Sequence, residues 1–351
     1  MMDHFHVSAT GHSLNYLPEY IATRHGFFAE QNLNVTVTVP KPWDRVLDEL
    51  EDRTPTANAA LGGVWVPSMY RNRSKHYTTF AQISNRSPLA LVKRGASAEW
   101  ELNKHNMVGR TVLLKSGNGA SVGIYFKMLL REHGIDAESV KYIQDLEGPM
   151  LSKLFEGGLG DFFVIDVISA RALARRDPSF SVAMEFCTDG GEIPWSVYYT
   201  KTASMTAKVI DAQRRFCVAL QKGIDWVIQH DAESFRDELA QIFSALPVDI
   251  VVDMVNVYRK CGMWTTTCVS RYGFERWQKG ICDGSLIEQP LYYDDMVQNG
   301  VESEEQAPDI DAMGQRSAMQ PQRKSRGAGR WESELKSSAM HHEHGKTVVV
   351  A

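Results

Sequence analysis

Residues 11–33 place a polar loop and a helix between two apolar stretches, and this order limits the folds open to the chain. The apolar run HFHVSAT ends at Gly11, and a helical pattern reaches His25-Gly26 before the second stretch, VTVTV, begins. A glycine suits the end of a helix ahead of a new strand, because it adopts positive φ at little cost. The segment therefore predicts a strand–loop–helix–strand unit. In open α/β sheets small ligands bind at the carboxyl ends of strands, where this loop lies.

Apolar runs alternate with helical patterns from residue 3 to about residue 200, which is typical of βαβ units and predicts a mainly parallel sheet. The predicted strands are 4–10, 33–39, 57–61, 79–84, 88–93, 111–115, 139–143, 162–166, 180–184 and 195–200. The predicted helices in this part are 15–25, 43–52, 119–133, 149–157 and 167–176. Farther along, the apolar spacing predicts helices over 207–230, 231–244, 247–260 and 271–281.

Three stretches of the chain carry a family resemblance, namely GFFAEQNLNV, LFEGGLGDFFVID and GMWTTTCVSRYGFERWQKGICDGSLIEQPLYYDDMV. They resemble the type II periplasmic-binding-protein-like superfamily, and within it the family that binds nitrate, sulfonates and pyrimidine precursors. The resemblance covers residues 3–297 and implies an α/β, two-lobed periplasmic-binding-protein-like (type II) fold with a ligand cleft between lobes. It also implies that lobe one is residues 1–92 plus 200–297 and that lobe two is residues 93–199, with crossings at 89–95 and 193–201.

The composition excludes two classes of protein. A net charge of −5 and a pI near 6.1 provide no overall basic field, so no nucleic-acid partner is expected. No stretch approaches the roughly 18 apolar residues that a membrane-spanning helix needs. The length of 351 residues makes two domains or lobes the default expectation.

The two ends of the chain carry predictions of their own. The opening residues, MMDHFHVSATGHS, contain no apolar signal region, which favours a cytoplasmic protein and argues against a transporter partner. Residues 298–351 are first acidic and then basic, with few core-forming residues, so they are predicted to be a disordered tail. Contact of the basic part with an acidic partner is the alternative.

The first candidate site is the loop over residues 11–16, which follows the first strand. It presents imidazole, hydroxyl and amide groups at the predicted cleft, so Ser13, Asn15 and Tyr16 are predicted to contact the ligand. His12 is the candidate catalytic residue, since an imidazole titrates near neutral pH and can act as a general base. The alternative is a loop that only orders the turn, with Ser13 capping the helix that follows.

The second candidate site is the double glycine at the end of the third predicted strand. Gly62 and Gly63 would let a ligand approach the backbone closely, with free N–H groups available. Trp65 would add a flat apolar wall. A simple tight turn is the alternative for this segment.

The third candidate site is the loop between a strand and a helix that begins after Lys115. Backbone N–H groups at the start of a helix bind anions, so a carboxylate, sulfonate or phosphate is expected here. The residues predicted to contact it are Ser116, Gly117, Asn118 and Gly119. Capping of the helix alone is the alternative, and the resemblance favours ligand contact, because relatives bind the anionic end of their ligands at the matching loop.

The fourth candidate site combines Asp166, at the end of the strand FFVID, with Trp195 near the return crossing. Asp166 is expected either to hold an amine or hydroxyl of the ligand or to cap the helix over 167–176. Trp195 is expected to be an aromatic wall beside the hinge or, alternatively, part of the core.

Familiar motifs for metals and cofactors are missing from the sequence. It has no HExxH, paired CxxC, EF-hand loop, P-loop, dinucleotide fingerprint or GxSxG elbow, so no metal and no cofactor is predicted. The five cysteines are expected to be buried, reduced thiols, with a catalytic or metal-binding cysteine as the alternative (Cys187, Cys217, Cys261, Cys268 and Cys282).

Two functions remain open at this point. The resemblance favours a small-molecule binding protein, similar to the substrate-binding proteins of ABC transporters, that closes on a small anionic or heterocyclic ligand. The alternative is a cytosolic enzyme on the same fold, either a decarboxylase- or desulfinase-like lyase or an enzyme of pyrimidine-precursor biosynthesis. In that case His12 would be the acid/base, acting on a small aromatic or heterocyclic acid.

Overall fold

The computed structural model describes residues 2–51, 56–71, 76–96, 99–115, 121–144, 146 and 148–298. The strands of this part are β1 Asp3–Ala9, β2 Leu33–Thr38, β3 Ala59–Gly62, β4 Tyr77–Ser84, β5 Leu89–Arg94, β6 Thr111–Leu114, β7 Lys141–Ile143, β8 Phe162–Asp166, β9 Phe180–Glu185 and β10 Ser196–Lys201. Every predicted strand is present. Alternating apolar runs with turn residues at both ends were therefore sufficient to locate them.

The helices also follow the apolar spacing where they are long. They are α1 Leu17–Arg24, α2 Phe27–Glu30, α3 Asp48–Glu51, α4 Trp65–Tyr70, α5 Lys104–Met107, α6 Ser121–Glu132, α7 Gly148–Glu156, α8 Val167–Arg176, α9 Phe186–Asp189, α10 Ala207–Gln229, α11 Arg236–Ile242, α12 Val248–Cys261, α13 Arg271–Asp283 and α14 Tyr293–Met296. The predicted helix over 43–52 was wrong in part, because a 3₁₀ helix, Trp43–Leu47, precedes α3. The sequence pattern missed α2, α4, α5, α9 and α14, which are too short to show a period of 3.6 residues.

The strands form two five-stranded sheets of matching design. The first sheet has the order β2-β1-β3-β10-β4 and the second has the order β7-β6-β8-β5-β9. In each sheet one strand runs against the other four, namely β10 in the first sheet and β5 in the second. The sequence predicted a mainly parallel sheet, and the structure has two mixed sheets instead. Both antiparallel strands directly follow a change of sheet.

The chain changes sheet at two places, near the predicted crossings. It leaves the first sheet after Ser84 and enters the second at Leu89, then returns between Glu185 and Ser196. Sheet membership therefore changes a few residues before the predicted boundaries. The lobes themselves, 1–92 plus 200–297 and 93–199, stay a prediction.

Helix α10 packs against both the first sheet and helix α1. The ring of Phe216 on α10 lies 4.8 Å from that of Phe5 on β1 and 4.9 Å from that of Tyr198 on β10. Between α1 and α10 the approach is closer still, because Gly223 presents no side chain to α1. The positive φ predicted for Gly26 at the end of α1 is confirmed, at 77°.

Gly223→Ala is expected to lower the free energy of unfolding by about 1–3 kcal/mol. A Cβ atom at this position would lie 2.3 Å from the Pro18 carbonyl oxygen and 3.0 Å from the Ala22 Cβ. Helix α1 would have to move, and this strain outweighs the gain that alanine normally brings inside a helix. Urea denaturation monitored by circular dichroism measures the change.

The matched control for this variant is Gly280→Ala in α13. There the nearest atom to an added Cβ is the Met128 sulfur, at 2.7 Å, at the flexible end of a side chain that can turn aside. We expect a smaller loss of stability for this variant. Equal losses of stability in the two variants would show that the close contact between α1 and α10 at Gly223 is not what makes Gly223→Ala destabilising.

The remaining sequence predictions concern the cysteines and the tail. All five cysteines are free thiols, and Cys187, Cys217 and Cys268 are buried as predicted. Cys261 and Cys282 are partly exposed, so the prediction of burial was wrong for them. Gln298 still donates a backbone hydrogen bond to the Thr79 carbonyl oxygen, at 2.9 Å. Residues 299–351 lie outside the described residues, and their disorder stays a prediction.

Candidate functional site

A cavity of about 810 Å³ lies between loops that follow strands of both sheets. The segments after β1 and β3 of the first sheet and after β6 and β8 of the second sheet line it, together with the residues that lead into β10. These are carboxyl ends of parallel strands, the position at which open α/β sheets bind ligands. Residues 242–246, between α11 and α12, complete the wall.

One ion pair lies in this cavity. The Lys115 Nζ donates to the Asp166 carboxylate at 2.8 Å, and the two side chains are 35% and 33% exposed. Asp166 also caps α8 by accepting a hydrogen bond from the Ser169 N–H at 2.9 Å. Burial opposes ionisation of Asp166, but Lys115 and Ser169 outweigh that effect, so the pKa of this carboxyl lies below its usual value. The ion pair is open enough for a ligand to compete for either partner.

Aromatic side chains form much of the remaining wall. Trp65 is half-buried, and Trp195 is buried against Tyr125 and Trp277, with ring centroids 5.5 and 6.3 Å away. The backbone N–H of Trp195 donates to the Ser84 carbonyl oxygen at 3.0 Å, which places this residue beside both crossings. Trp195 thus combines the two predicted roles, wall and core. Trp43, Tyr70 and Phe243 line the same cavity.

The two glycines of the second candidate site differ in position. Gly63 lines the cavity, whereas Gly62 is the last residue of β3 and does not. A Cβ atom on Gly63 would lie 2.5 Å from the Trp65 ring, so this glycine makes room for the tryptophan. A Cβ atom on Gly62 would instead meet the Thr10 methyl at 3.0 Å. Ligand contact stays a prediction for both glycines.

Within the first candidate loop, Asn15 is held by both crossings. Its amide nitrogen donates to the Ser84 hydroxyl at 2.9 Å and to the Ser196 hydroxyl at 3.2 Å, and its side-chain oxygen accepts from Ser13. The Trp264 indole N–H donates to the Asn15 carbonyl oxygen at 2.9 Å. Asn15 lines the cavity, but its amide is engaged within the protein. It therefore positions the loop.

Ser13 and Tyr16, the neighbours of Asn15 in this loop, also line the cavity while their hydroxyl groups bond within the protein. Ser13 stands at the first position before the 3₁₀ helix Leu14–Tyr16, but its hydroxyl makes no cap hydrogen bond and instead contacts Asn15. Tyr16 is buried, and its hydroxyl shares a hydrogen bond of 3.3 Å with Thr10. Both residues line the cavity beside Asn15, and contact of the three with a ligand stays a prediction.

His12 lies exposed at the edge of the cavity. Its ring stacks on Tyr20, with centroids 4.7 Å apart, and contacts Phe243 at 5.2 Å. Partial burial between these rings lowers the pKa of His12, so the imidazole is neutral at neutral pH. In the part of the chain that the structure describes, His12 makes no hydrogen bond to a carboxylate. This arrangement is that of an aromatic wall residue.

The third candidate loop is only partly described. Ser116, Gly117, Asn118 and Gly119 lie outside the described residues, and their contact with an anion stays a prediction. Lys115 directly precedes them and lines the cavity. Its position at the end of an apolar strand was a usable signal. Trp43 and Phe243 had no such signal, since only tertiary contacts bring them to the cavity.

Metal-binding clusters and membrane-spanning helices are absent from the described ranges. No group of His, Cys, Asp and Glu side chains there has the arrangement of a metal site. None of the helices there is long and apolar enough to cross a membrane.

Two mixed sheets, with strand ends of both lining one cleft, define the two-lobed fold of type II periplasmic binding proteins, as the sequence predicted. Residues 13–234 match the family described as NMT1/THI5 like, and the chain belongs to this family. The match covers the residues before α11 that line the cavity, apart from Thr10, Gly11 and His12.

Individual proteins extend this comparison. YtlA of Bacillus subtilis (strain 168), which is named as a candidate binding protein, is 25% identical over 261 residues, covering 72% of this chain and 75% of YtlA. The periplasmic aliphatic sulphonate binding protein SsuA from Escherichia coli has a TM-score of 0.63 at 12% identity, covering 86% of this chain and 99% of SsuA. The ligand binding component of an ABC-type import system from Staphylococcus aureus has a TM-score of 0.60 at 10% identity, with coverages of 86% and 99%. At these identities the solved structures show the shared fold.

Proposed function

We propose that this chain is a small-molecule binding protein whose two lobes close on a small anionic or heterocyclic ligand. The observation that carries the proposal is the cavity of about 810 Å³ between the carboxyl ends of both sheets. Ligand pockets typically measure about 300–1,000 Å³, so the cavity suits one small molecule. The names of YtlA and of the sulphonate binder support the same class of function.

The lining supports a ligand that is flat and carries one polar end. Trp65, Trp195 and Tyr70 offer ring faces to a planar group. Lys115 is the only lysine or arginine that lines the cavity within the described ranges, and Asp166 is the only carboxylate. An anionic group on the ligand would bind to Lys115 in place of Asp166, because charge-assisted hydrogen bonds are the strongest that such a site can offer.

The first experiment is native mass spectrometry of the purified chain with a panel of aromatic acids, sulfonates and pyrimidines. We expect one class to be retained unaltered at a ratio of one per chain and to quench tryptophan fluorescence, since Trp43, Trp65 and Trp195 line the cavity. Retention of no member of the panel would count against an anionic or heterocyclic ligand. A product formed in excess of the protein would overturn the proposal in favour of an enzyme.

Catalysis has less support than binding. The lyase alternative depends on His12, and the aromatic contacts of that ring point to a wall residue. His12→Ala is a direct check, because a binding protein would keep most of its affinity while an enzyme of this kind would lose turnover.

A transporter partner and a cytoplasmic location are alternative proposals for where the protein works. The import-system component from Staphylococcus aureus favours a membrane transporter as partner, whereas the sequence favours a cytoplasmic protein. Fractionation of cells that express the tagged full chain separates the two. Recovery with the transporter subunits in a membrane pull-down would support delivery of the ligand to a transporter.

A further inference from the structure

A second groove, separate from the main cavity, lies beside helix α6. Its volume is about 500 Å³, and it runs between α6, the residues after β7 and the carboxyl end of α13. Among the described residues it shares one with the main cavity, Lys115, whose Nζ pairs with Asp166. The groove has no part in the proposed function above.

Two cations on α6 face this groove one helical turn apart. Lys127 and Arg131 are both half-buried, and no ion pair joins either of them to a carboxylate of the described residues. Like charges four residues apart destabilise a helix. The Lys127 ammonium lies 4.5 Å from the centre of the Tyr142 ring, which stabilises the charge without neutralising it.

One donor atom of Arg131 lacks a hydrogen bond to the described residues. The Arg131 Nη1 is buried and has no partner among the described residues. A buried guanidinium N–H without an acceptor is unfavourable, because it has lost the water that would otherwise solvate it. Arg131 is thus a cation that the described residues compensate neither by an ion pair nor, at Nη1, by a hydrogen bond.

Two carboxylates also line the groove, and they limit the charge that it can accept. Asp283 is engaged, since its carboxylate accepts a hydrogen bond from Lys279 at 2.6 Å. Glu138 is exposed and makes no ion pair with a described cation. The unneutralised groups facing the groove are thus Lys127 and Arg131 against Glu138. This balance suits one small anion better than a highly charged one.

We propose that this groove is a second binding site, specific for a phosphate-sized oxyanion. Arg131 supplies the forked N–H donors that match such an anion, and Lys127 supplies a point charge one turn away on the same helix. The anion would relieve the repulsion between the two cations. The Gln144 side chain, which also lines the groove, offers a further amide donor.

Isothermal titration of the full chain with inorganic phosphate, at constant ionic strength set with chloride, tests the proposal. We expect saturable binding of one phosphate per chain. Arg131→Gln and, separately, Lys127→Gln should each weaken it by about tenfold or more, since each removes a charge-assisted hydrogen bond. The matched control is Arg175→Gln, whose side chain is exposed and pairs with Asp253. Melting curves without phosphate establish that each variant is folded.

The outcomes distinguish binding in the groove from binding in the main cavity, and a phosphorylated organic ligand from the free anion. Phosphate binding that persists in both α6 variants would place the anion elsewhere, for instance beside Lys115 in the main cavity, and would overturn the proposal. Absence of binding to the wild-type chain would also overturn it. Tighter binding of phenyl phosphate than of inorganic phosphate would identify a phosphorylated organic ligand, and weaker binding would identify the free anion.

Discussion

Glu19→Gln is expected to abolish a loss of stability that the wild-type chain undergoes between pH 4.5 and pH 8. In the wild-type chain the free energy of unfolding should fall by on the order of 3 kcal/mol over this range. The Glu19 side chain on α1 is fully buried, and desolvation raises its pKa from 4.5 to about 7. The Tyr198 hydroxyl donates to one carboxylate oxygen at 2.6 Å and opposes that rise, while the other oxygen has no partner among the described residues. One hydrogen bond does not compensate a buried charge.

The direction of the pH effect follows from the raised pKa. Below pH 4.5 Glu19 is protonated in both the folded and the unfolded chain, and the folded state bears no buried charge from it. Between pH 4.5 and about 7 the unfolded chain releases this proton while the folded chain retains it, so stability falls as the pH rises. Above about pH 7 the carboxylate is ionised in both states and the loss is complete. Glutamine removes this dependence.

Urea denaturation of both chains at pH 4.5, 6 and 8 provides the measurement. Glu30→Gln serves as the control, because that side chain is 51% exposed and pairs with Lys222 across the same group of helices. A difference between Glu19→Gln and wild type that stays constant across the three values would show that Glu19 does not titrate in this range. A loss of stability for Glu19→Gln at pH 8 would show that the buried charge is compensated.

The fold was accessible from the sequence to the extent that its signals are local. Each strand carries its own apolar run, and α8 and α10 show their period directly in residues 167–176 and 207–229. The direction of β5 and β10 is not encoded within those strands. It depends on pairing with β8 and β3, and it emerges only when the chain has crossed between the sheets.

The candidate site shows the same limit. The loop over 11–16 and Asp166 were predictable because each follows a strand whose carboxyl end must face the cleft. The hydrogen bonds of Asn15 were not, since they join it to Ser84 and Ser196, which are 69 and 181 residues away. The packing of the Trp65 ring against Gly63 was not predictable either, because it depends on a side-chain orientation that the local sequence does not encode.

Lys115→Gln is expected to weaken binding of the cavity's ligand by about ten- to a hundredfold if that ligand is an anion. The variant removes the only lysine or arginine that lines the cavity within the described ranges. It also leaves the Asp166 carboxylate without the cation that lowers its pKa, and this negative charge would repel an anion. Titration with the ligand found by native mass spectrometry, followed by tryptophan fluorescence, measures the effect.

Asp166→Asn is the informative partner of that variant, because it changes the opposite charge of the same ion pair. Asparagine can still accept the hydrogen bond from the Ser169 N–H, so α8 keeps its cap. Freed from Asp166, Lys115 should bind an anion equally well or several-fold more tightly. A strong loss in Asp166→Asn with no loss in Lys115→Gln would instead identify a ligand that binds through an amine or hydroxyl donor. Unchanged affinity in both variants would place the ligand outside the cavity and would contradict the proposed function.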